Sequence, residues 1–376
     1  MVEKLHCEFV RAIKAVQQTY NPDNVMVHLL DQFRLMVNHC IQIGLAENVS
    51  SLKALSLKSY AQLSGYDVMS YYRLCAISAA AGILRNHRKA KRQNPHTKQP
   101  YARGLRLTTC YGFKIRDGTL LLPLRPRESM RILLTAHVQE TIKGCEVRSV
   151  TITRDRLTLA IARDVTDVKV GGFIGVDRNL DNVTLVAVDG SVTAHDLSEA
   201  TRIKATYRQV RSRFRRNDHR IRRTVTEKYG LKQREKVKQI LHHASKAIVQ
   251  QAQQNQRGIV MEKLTGLRKL YRRGNGQGRG YRARMNSWSY AELQRQVEYK
   301  ARWEGLPVIY VNPAGTSRKC SRCGSRMARI PEENRISTCQ GCGLTVDRDV
   351  NAARNILARG LRFGPFAHPV DYYDYL

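Results

Sequence analysis

Three carboxylates and four thiols stand where this chain could do metal chemistry. Asp177 and Glu262 each end a short apolar run, Phe173-Ile-Gly-Val-Asp177 and Gly258-Ile-Val-Met-Glu262, and Asp349 opens a helix-like stretch. Carboxylates at strand ends and at a helix N-terminus can converge on one edge of a sheet. Three convergent carboxylates repel one another unless divalent cations bind between them. Mg2+ prefers oxygen ligands and keeps waters and phosphate oxygens in its shell. Two Mg2+ ions could activate a water and stabilise the leaving oxygen of a phosphodiester. A plainer reading stands beside this one: Asp at a strand end is ordinary turn chemistry, and Asp349 could simply cap its helix.

The thiols are Cys320-x2-Cys323 and Cys339-x2-Cys342, with fifteen residues between the pairs. Each C-x2-C turn brings two thiolates to one metal, so this spacing suits a tetrahedral four-thiolate zinc ribbon. With all four ligands from the protein, no position is open for water, and the Zn2+ is structural. The other cysteines, Cys7, Cys40, Cys75, Cys110 and Cys145, are scattered singly. They read as buried small hydrophobes in a reducing cytoplasm, not as a disulfide framework.

The elements that must position these groups follow from the apolar pattern. Residues 22–90 read as mostly helical, with Asn21-Pro-Asp and Ser50-Ser51 as caps or turns. From about 100 to 170 short strands take over, with a hairpin turn at Asp117-Gly118 and another at Arg154-Asp155; a small β-barrel would close their edges. Beyond 170 come strands ending at Asp177, at Val188 and near His195. A long helical stretch over about 200–256 follows, then the Glu262 strand, a helix over 288–304, a strand over 306–311 and a helix over 349–359. Hairpins followed by alternating helices and strands argue for a mixed α/β sheet with helices on its faces. Trp288, Tyr299 and Trp303 fall in the 288–304 segment, where core packing is the default.

Charge points to the partner. Lys plus Arg number 65 against 31 acidic residues, a formal net charge of +34 over 376 residues. A polyanion would offset that self-repulsion, and nucleic acid leads. An anionic membrane is the rival, but no apolar run approaches the roughly 18 residues of a spanning helix. The N-terminus lacks a signal-peptide pattern. Residues 202–223 hold ten Lys or Arg and one Asp, among them Arg208, Arg211, Arg213, Arg215, Arg216 and Arg220. With almost no acidic partners one turn away, they read as a phosphate-tracking face. The Gly/Arg-rich segment Tyr271–Arg284, with Arg272, Arg273 and Arg282, reads as a flexible loop that would order on nucleic acid as a lid.

These motifs, in this order, resemble the TnpB family of transposon-encoded, RNA-guided DNA nucleases, relatives of the compact type V CRISPR effectors. The matching residues are Gly175-Val-Asp177-Arg-Asn-Leu-Asp-Asn182, Met261-Glu262-Lys-Leu, Glu298-Tyr-Lys-Ala301, Thr316-Ser-Arg-Lys-Cys320-Ser-Arg-Cys323-Gly, Cys339-Gln-Gly-Cys342-Gly and Asp347-Arg-Asp349-Val-Asn-Ala-Ala-Arg-Asn-Ile356. The resemblance is strongest over 172–360 and weaker over 1–171.

It implies an α/β RNase H-like (RuvC) nuclease domain with an inserted four-cysteine zinc ribbon, an N-terminal wedge β-barrel and a helical recognition lobe. The implied layout is wedge 1–21, recognition lobe 22–97, wedge 98–171, nuclease 172–315, zinc ribbon 316–345, third nuclease motif 346–362 and tail 363–376. It implies that Asp177, Glu262 and Asp349 bind two Mg2+ ions, with Asp347 the runner-up ligand. It implies a guide RNA from the transposon end and a double-stranded DNA target read beside a short adjacent motif. A monomer in the prokaryotic cytoplasm, associated with the nucleoid, is expected. Asn179 stands where many members have Gly, and Asn tolerates the left-handed backbone that a tight turn there would need. Two rival readings are a catalytically idle RNA-guided repressor or transposition regulator, and an RNA-independent transposase.

Overall fold

A computed structural model describes residues 9–125, 127–214, 219–272, 274–330 and 335–363. The described residues form two compact units, one of Arg11–Asp164 and one of Val165 onward together with Phe9 and Val10 at the start of the first strand.

The first unit starts with strand β1 (Phe9–Thr19) and helices α1 (Asn24–Ala46), α2 (Leu52–Ser59) and α3 (Ser70–Gln93). Asp23 caps α1 by accepting from the Met26 amide at 2.7 Å, and Ser51 caps α2 through Ala54, so the expected cap positions hold. Helix α1 buries Met26, Leu30, Phe33 and Val37, and α3, its main packing partner, buries Ala76, Ile77, Ala80 and Leu84. The recurrence of these positions at three and four residues is what marks both helices in the sequence.

Then follow β2 (Arg106–Thr109), β3 (Lys114–Arg116), β4 (Thr119–Arg125), β5 (Glu128–Leu133), α4 (Ala136–Ile142), β6 (Glu146–Thr153) and β7 (Arg156–Thr166). The strands expected there as a barrel pair as two sheets, one ordered β1-β7-β6-β2 and one ordered β3-β4-β5. The turn between β3 and β4 puts Asp117 at φ 46° and Gly118 at φ 68°. Two successive positive φ values match the twist of a tight hairpin, and Asp-Gly accepts them at low cost.

The second unit is built on β8 (Gly172–Arg178), β9 (Asn182–Ala187), β10 (Val192–Asp196), α5 (Ser198–Ser212), α6 (His219–Gln254), β11 (Arg257–Glu262), α7 (Arg279–Asn286), α8 (Tyr290–Trp303) and β12 (Val308–Val311). A ribbon of β13 (Met327–Arg329), β14 (Ile336–Cys339) and β15 (Thr345–Asp347) leads into α9 (Arg348–Phe363). The main sheet is ordered β10-β9-β8-β11-β12. Strand β9 runs antiparallel to its neighbours, while β8, β11 and β12 are parallel. All of β8 is buried, as expected of a strand covered on both faces, and this explains its unbroken apolar run. Residues of α6, α8 and α9 complete its core, among them Leu241, Ile248, Val297, Ala353 and Leu357. Trp303 is buried, in line with core packing.

Two expectations change. The long helical stretch divides into α5 and α6. The second half of the Gly/Arg-rich segment is a helix, α7, because Arg-Ala-Arg-Met after Gly280 are good helix formers that outweigh the glycines before them.

Candidate active site

Asp177 and Glu262 come together through strand register. Val176 of β8 pairs with Met261 of β11 in parallel, so the two acids are side by side at the carboxyl ends of adjacent strands. Neighbours in register project to the same face of a sheet. Asp349 arrives on the first turn of α9. That helix lies close on β8 because Gly175 has no side chain: a Cβ there would collide with the Ala353 carbonyl and with Leu357. All three acids are nearly inaccessible, at 6%, 8% and 5% exposure.

Burial and like charge act on Asp177 together. Loss of water first, and then the charges of Glu262 and Asp349, push its carboxyl up to about 7, against the opposing hydrogen bond from Asn179. Each acid has a neutral donor. Asn179 Nδ2 donates to Asp177 Oδ2 at 2.8 Å, Asn182 Nδ2 to Asp349 Oδ2 at 3.1 Å, and Thr316 Oγ1 to Glu262 Oε1 at 2.5 Å. Arg348 Nε and Arg335 Nη1 approach Asp349 at 3.4 and 3.8 Å. A buried, mutually repelling set of oxygen donors fits hard divalent cations such as Mg2+.

Asp347 takes the capping role that Asp349 could have had. Its Oδ1 accepts from the amides of Asp349 at 2.7 Å and Val350 at 3.2 Å. That leaves the Asp349 carboxylate for the cluster. Asn179 is not among the described residues with positive φ, so its place in the motif rests on the bond to Asp177 and not on a left-handed turn.

Sequence reading missed Arg178. The residue is 2% exposed, and its guanidinium donates to the Glu262 carbonyl, to the Tyr290 carbonyl at 3.2 Å and to Gln294 Oε1 at 2.9 Å. It ties β8 to the end of β11 and to α8. It also missed Thr316 and Asn182 as partners of the acids; position within the quoted motifs was the sole signal.

The four cysteines meet. Among the described residues they form the one group of three or more His, Cys, Asp or Glu side chains gathered closely enough to hold a metal ion, with sulfurs within 4.8 Å of one another. The acids sense one another by charge without such tight gathering. The Cys320–Cys342 and Cys323–Cys339 sulfurs lie 3.7 and 3.4 Å apart. A disulfide needs about 2.05 Å, whereas a tetrahedron of Zn–S bonds of about 2.3 Å spaces its sulfurs about 3.8 Å apart. Amides of Arg322, Gly341 and Cys342 donate to the sulfurs of Cys320 and Cys339, as thiolates require. The donor set therefore fits Zn2+.

The basic residues divide. Arg213, Arg220 and Arg272 are exposed, and so is Arg208 although it is hydrogen-bonded. Arg208 Nη2 donates to the Ala283 carbonyl at 2.8 Å, Arg211 Nη2 to Gln233 Oε1 at 2.9 Å, and Arg282 to the Gln277 carbonyl. Part of their donor capacity thus holds α5, α6 and α7 in place. Arg215, Arg216 and Arg273 lie outside the described residues. No described helix is long and apolar enough to cross a membrane.

Comparison with known proteins places this arrangement. Residues 290–356, which span α8, the ribbon and the start of α9, match the family model "Cas12f1-like, TNB domain". Over 120 residues the chain is 36% identical to a CRISPR-associated endodeoxyribonuclease Cas12f1 of Sulfoacidibacillus thermotolerans, covering 31% of this chain and 25% of that protein. The fold is similar to that of Cas12f1 in a cryo-EM structure of the Cas12f1–sgRNA–target DNA complex, with a TM-score of 0.60 at 15% identity, covering 88% of this chain and 82% of that one. A TnpB-like protein of Methanocaldococcus jannaschii is 31% identical over 272 residues, 68% of this chain and 96% of the relative. Identity at that level over 96% of the relative makes this chain a member of the TnpB family.

Proposed function

We propose that this chain is an RNA-guided, Mg2+-dependent DNA endonuclease encoded by a transposon, with a RuvC-like nuclease fold and a structural Zn2+. The observation that carries this reading is the convergence of Asp177, Glu262 and Asp349 from β8, β11 and α9 into one buried, charge-coupled cluster. The relatives' names, an endodeoxyribonuclease and a complex with guide RNA and target DNA, support it.

Bound Mg2+ would supply an activated water and charge neutralisation at the scissile phosphate. Asp177, Glu262 and Asp349 would hold two such ions. Asn179, Thr316 and Asn182 orient the three carboxylates, and Arg178 fixes the backbone from which Glu262 projects. Hydrolysis would leave 5′-phosphate and 3′-hydroxyl ends. The exposed Arg213, Arg220 and Arg272 would follow the nucleic-acid backbone, which matches a net charge of +34. The helices of 22–97 would form the recognition lobe, and the strands of 1–21 and 98–171 the wedge that reads the adjacent motif. The guide would come from the transposon end and pair with one DNA strand, in the division of labour known for RNA-guided effectors.

The test is to purify the protein from cells carrying its native flanking DNA and to sequence the RNA that accompanies it. A discrete RNA ending in sequence from outside the element supports the reading and defines a cleavage target. Folded, zinc-loaded protein with no enriched RNA would turn the assignment toward an RNA-independent transposase.

A further inference from the structure

Glu262 is held from a direction that strand pairing does not explain. Thr316 lies 54 residues beyond it and four before Cys320, is 2% exposed, and donates its hydroxyl to Glu262 Oε1 at 2.5 Å. The Pro313 carbonyl also lies within reach, 3.0 Å from Thr316 Oγ1. A hydroxyl has one proton to give, and a carboxylate accepts it more strongly than a neutral carbonyl. The Thr316 backbone is itself anchored, because its carbonyl accepts from Asn355 Nδ2 at 2.8 Å. Asn355 stands on α9, the helix that presents Asp349. Asn351 and Asn355, also on α9, both donate to the Lys319 carbonyl at 2.8 Å, and the Ser321 amide donates to Asn351 Oδ1 at 2.8 Å. The segment entering the first C-x2-C turn is thus bonded along the Asp349 helix while it delivers a hydroxyl to Glu262.

We propose that Thr316 is a positioning residue for Glu262, held by its bond to Asn355 so that the helix carrying Asp349 also sets the Glu262 carboxylate. This rests on the metal-site reading above. A Glu side chain has three torsions, and a hydrogen bond to one carboxylate oxygen restrains its plane and would leave the second oxygen for a cation. Hydrogen-bond partners of metal ligands typically contribute about 10–100-fold in metal affinity or activity.

The experiment uses the full chain with its guide RNA and compares wild type with Thr316→Val, Thr316→Ser and Glu262→Gln. Three quantities are read: bound zinc, the Mg2+ concentration giving half-maximal cleavage, and the Mg2+ concentration giving half-maximal thermal stabilisation. T316V should keep its zinc and need about 10-fold more Mg2+ by both measures, while T316S stays within about 3-fold of wild type. Wild-type Mg2+ dependence in T316V overturns the proposal. So does zinc loss from folded T316V, or equal impairment in T316S, since either makes the role one of packing. Should T316V fail to fold, Thr316→Ala decides: a raised Mg2+ requirement with zinc retained supports the proposal and an unchanged one overturns it. E262Q separates the two levels. If it leaves Mg2+ stabilisation unchanged, the metal-site reading itself fails, whatever Thr316 does.

Discussion

Asn182 donates its side-chain amide to Asp349 across 167 residues of sequence, at 3.1 Å, with both groups buried. The bond joins the first residue of β9 to the first turn of α9. It therefore links the strand that follows Asp177 to the helix that returns after the cysteine ribbon. Removing it leaves the third acid without the donor that orients it. Asn182→Ala should lower Mg2+-dependent cleavage about 10-fold with target binding retained. Unchanged cleavage would show that Asp349 is oriented without Asn182.

Gly175 sets the separation of β8 from α9. Gly175→Ala forces a Cβ against the Ala353 carbonyl and Leu357. A backbone atom cannot yield as a flexible side chain can, so the helix must shift. The expected cost is about 1–3 kcal/mol, read by chemical denaturation, together with weaker cleavage because Asp349 moves with the helix.

The four-cysteine site should be structural. Cys320→Ser, or strong chelation of wild type, should release zinc and lower stability. A loss of about 2 kcal/mol would lower Tm by roughly 5 °C. Full zinc retention with an unchanged melting curve would contradict the assignment.

His242 gives the fold an acid-sensitive element. Burial first, and then the charges of Lys300 and Lys238, hold its imidazole down to about 4, while Lys300 Nζ donates to the His242 carbonyl at 2.8 Å. The unfolded chain protonates this group near pH 6.5. A depressed folded pKa means that the native state binds fewer protons, so stability is present above about pH 6.5 and is lost as pH falls toward about 4. Between about pH 7 and about pH 5, wild type should lose roughly 2 °C more in Tm than His242→Gln. Equal losses would refute this role.

Much of the site was legible in the sequence because its signals are local. Apolar runs closed by Asp177 and Glu262 gave the two central strands, and the C-x2-C pairs gave the ribbon. Asp23, Ser51 and Asp117-Gly118 marked caps and a turn that hold. The partners were not legible. Arg178 to the Glu262 carbonyl, Thr316 to Glu262 and Asn182 to Asp349 are bonds across 84, 54 and 167 residues, and no periodicity encodes them. The segment after Gly278 was misread for a different reason: glycine content was weighed above the helix propensity of Arg282, Ala283 and Met285. Asn179 was read for the turn its backbone could tolerate, whereas the structure shows its side chain donating to Asp177.

The central claim is that Asp177, Glu262 and Asp349 form a cleaving metal site. The most direct measurement compares wild type and Asp177→Asn, each loaded with the co-purified guide, on a matched double-stranded DNA with and without Mg2+. Wild type should cleave only with Mg2+, and D177N should leave the DNA intact while binding it with near wild-type affinity. Cleavage by D177N at the wild-type rate would contradict the claim.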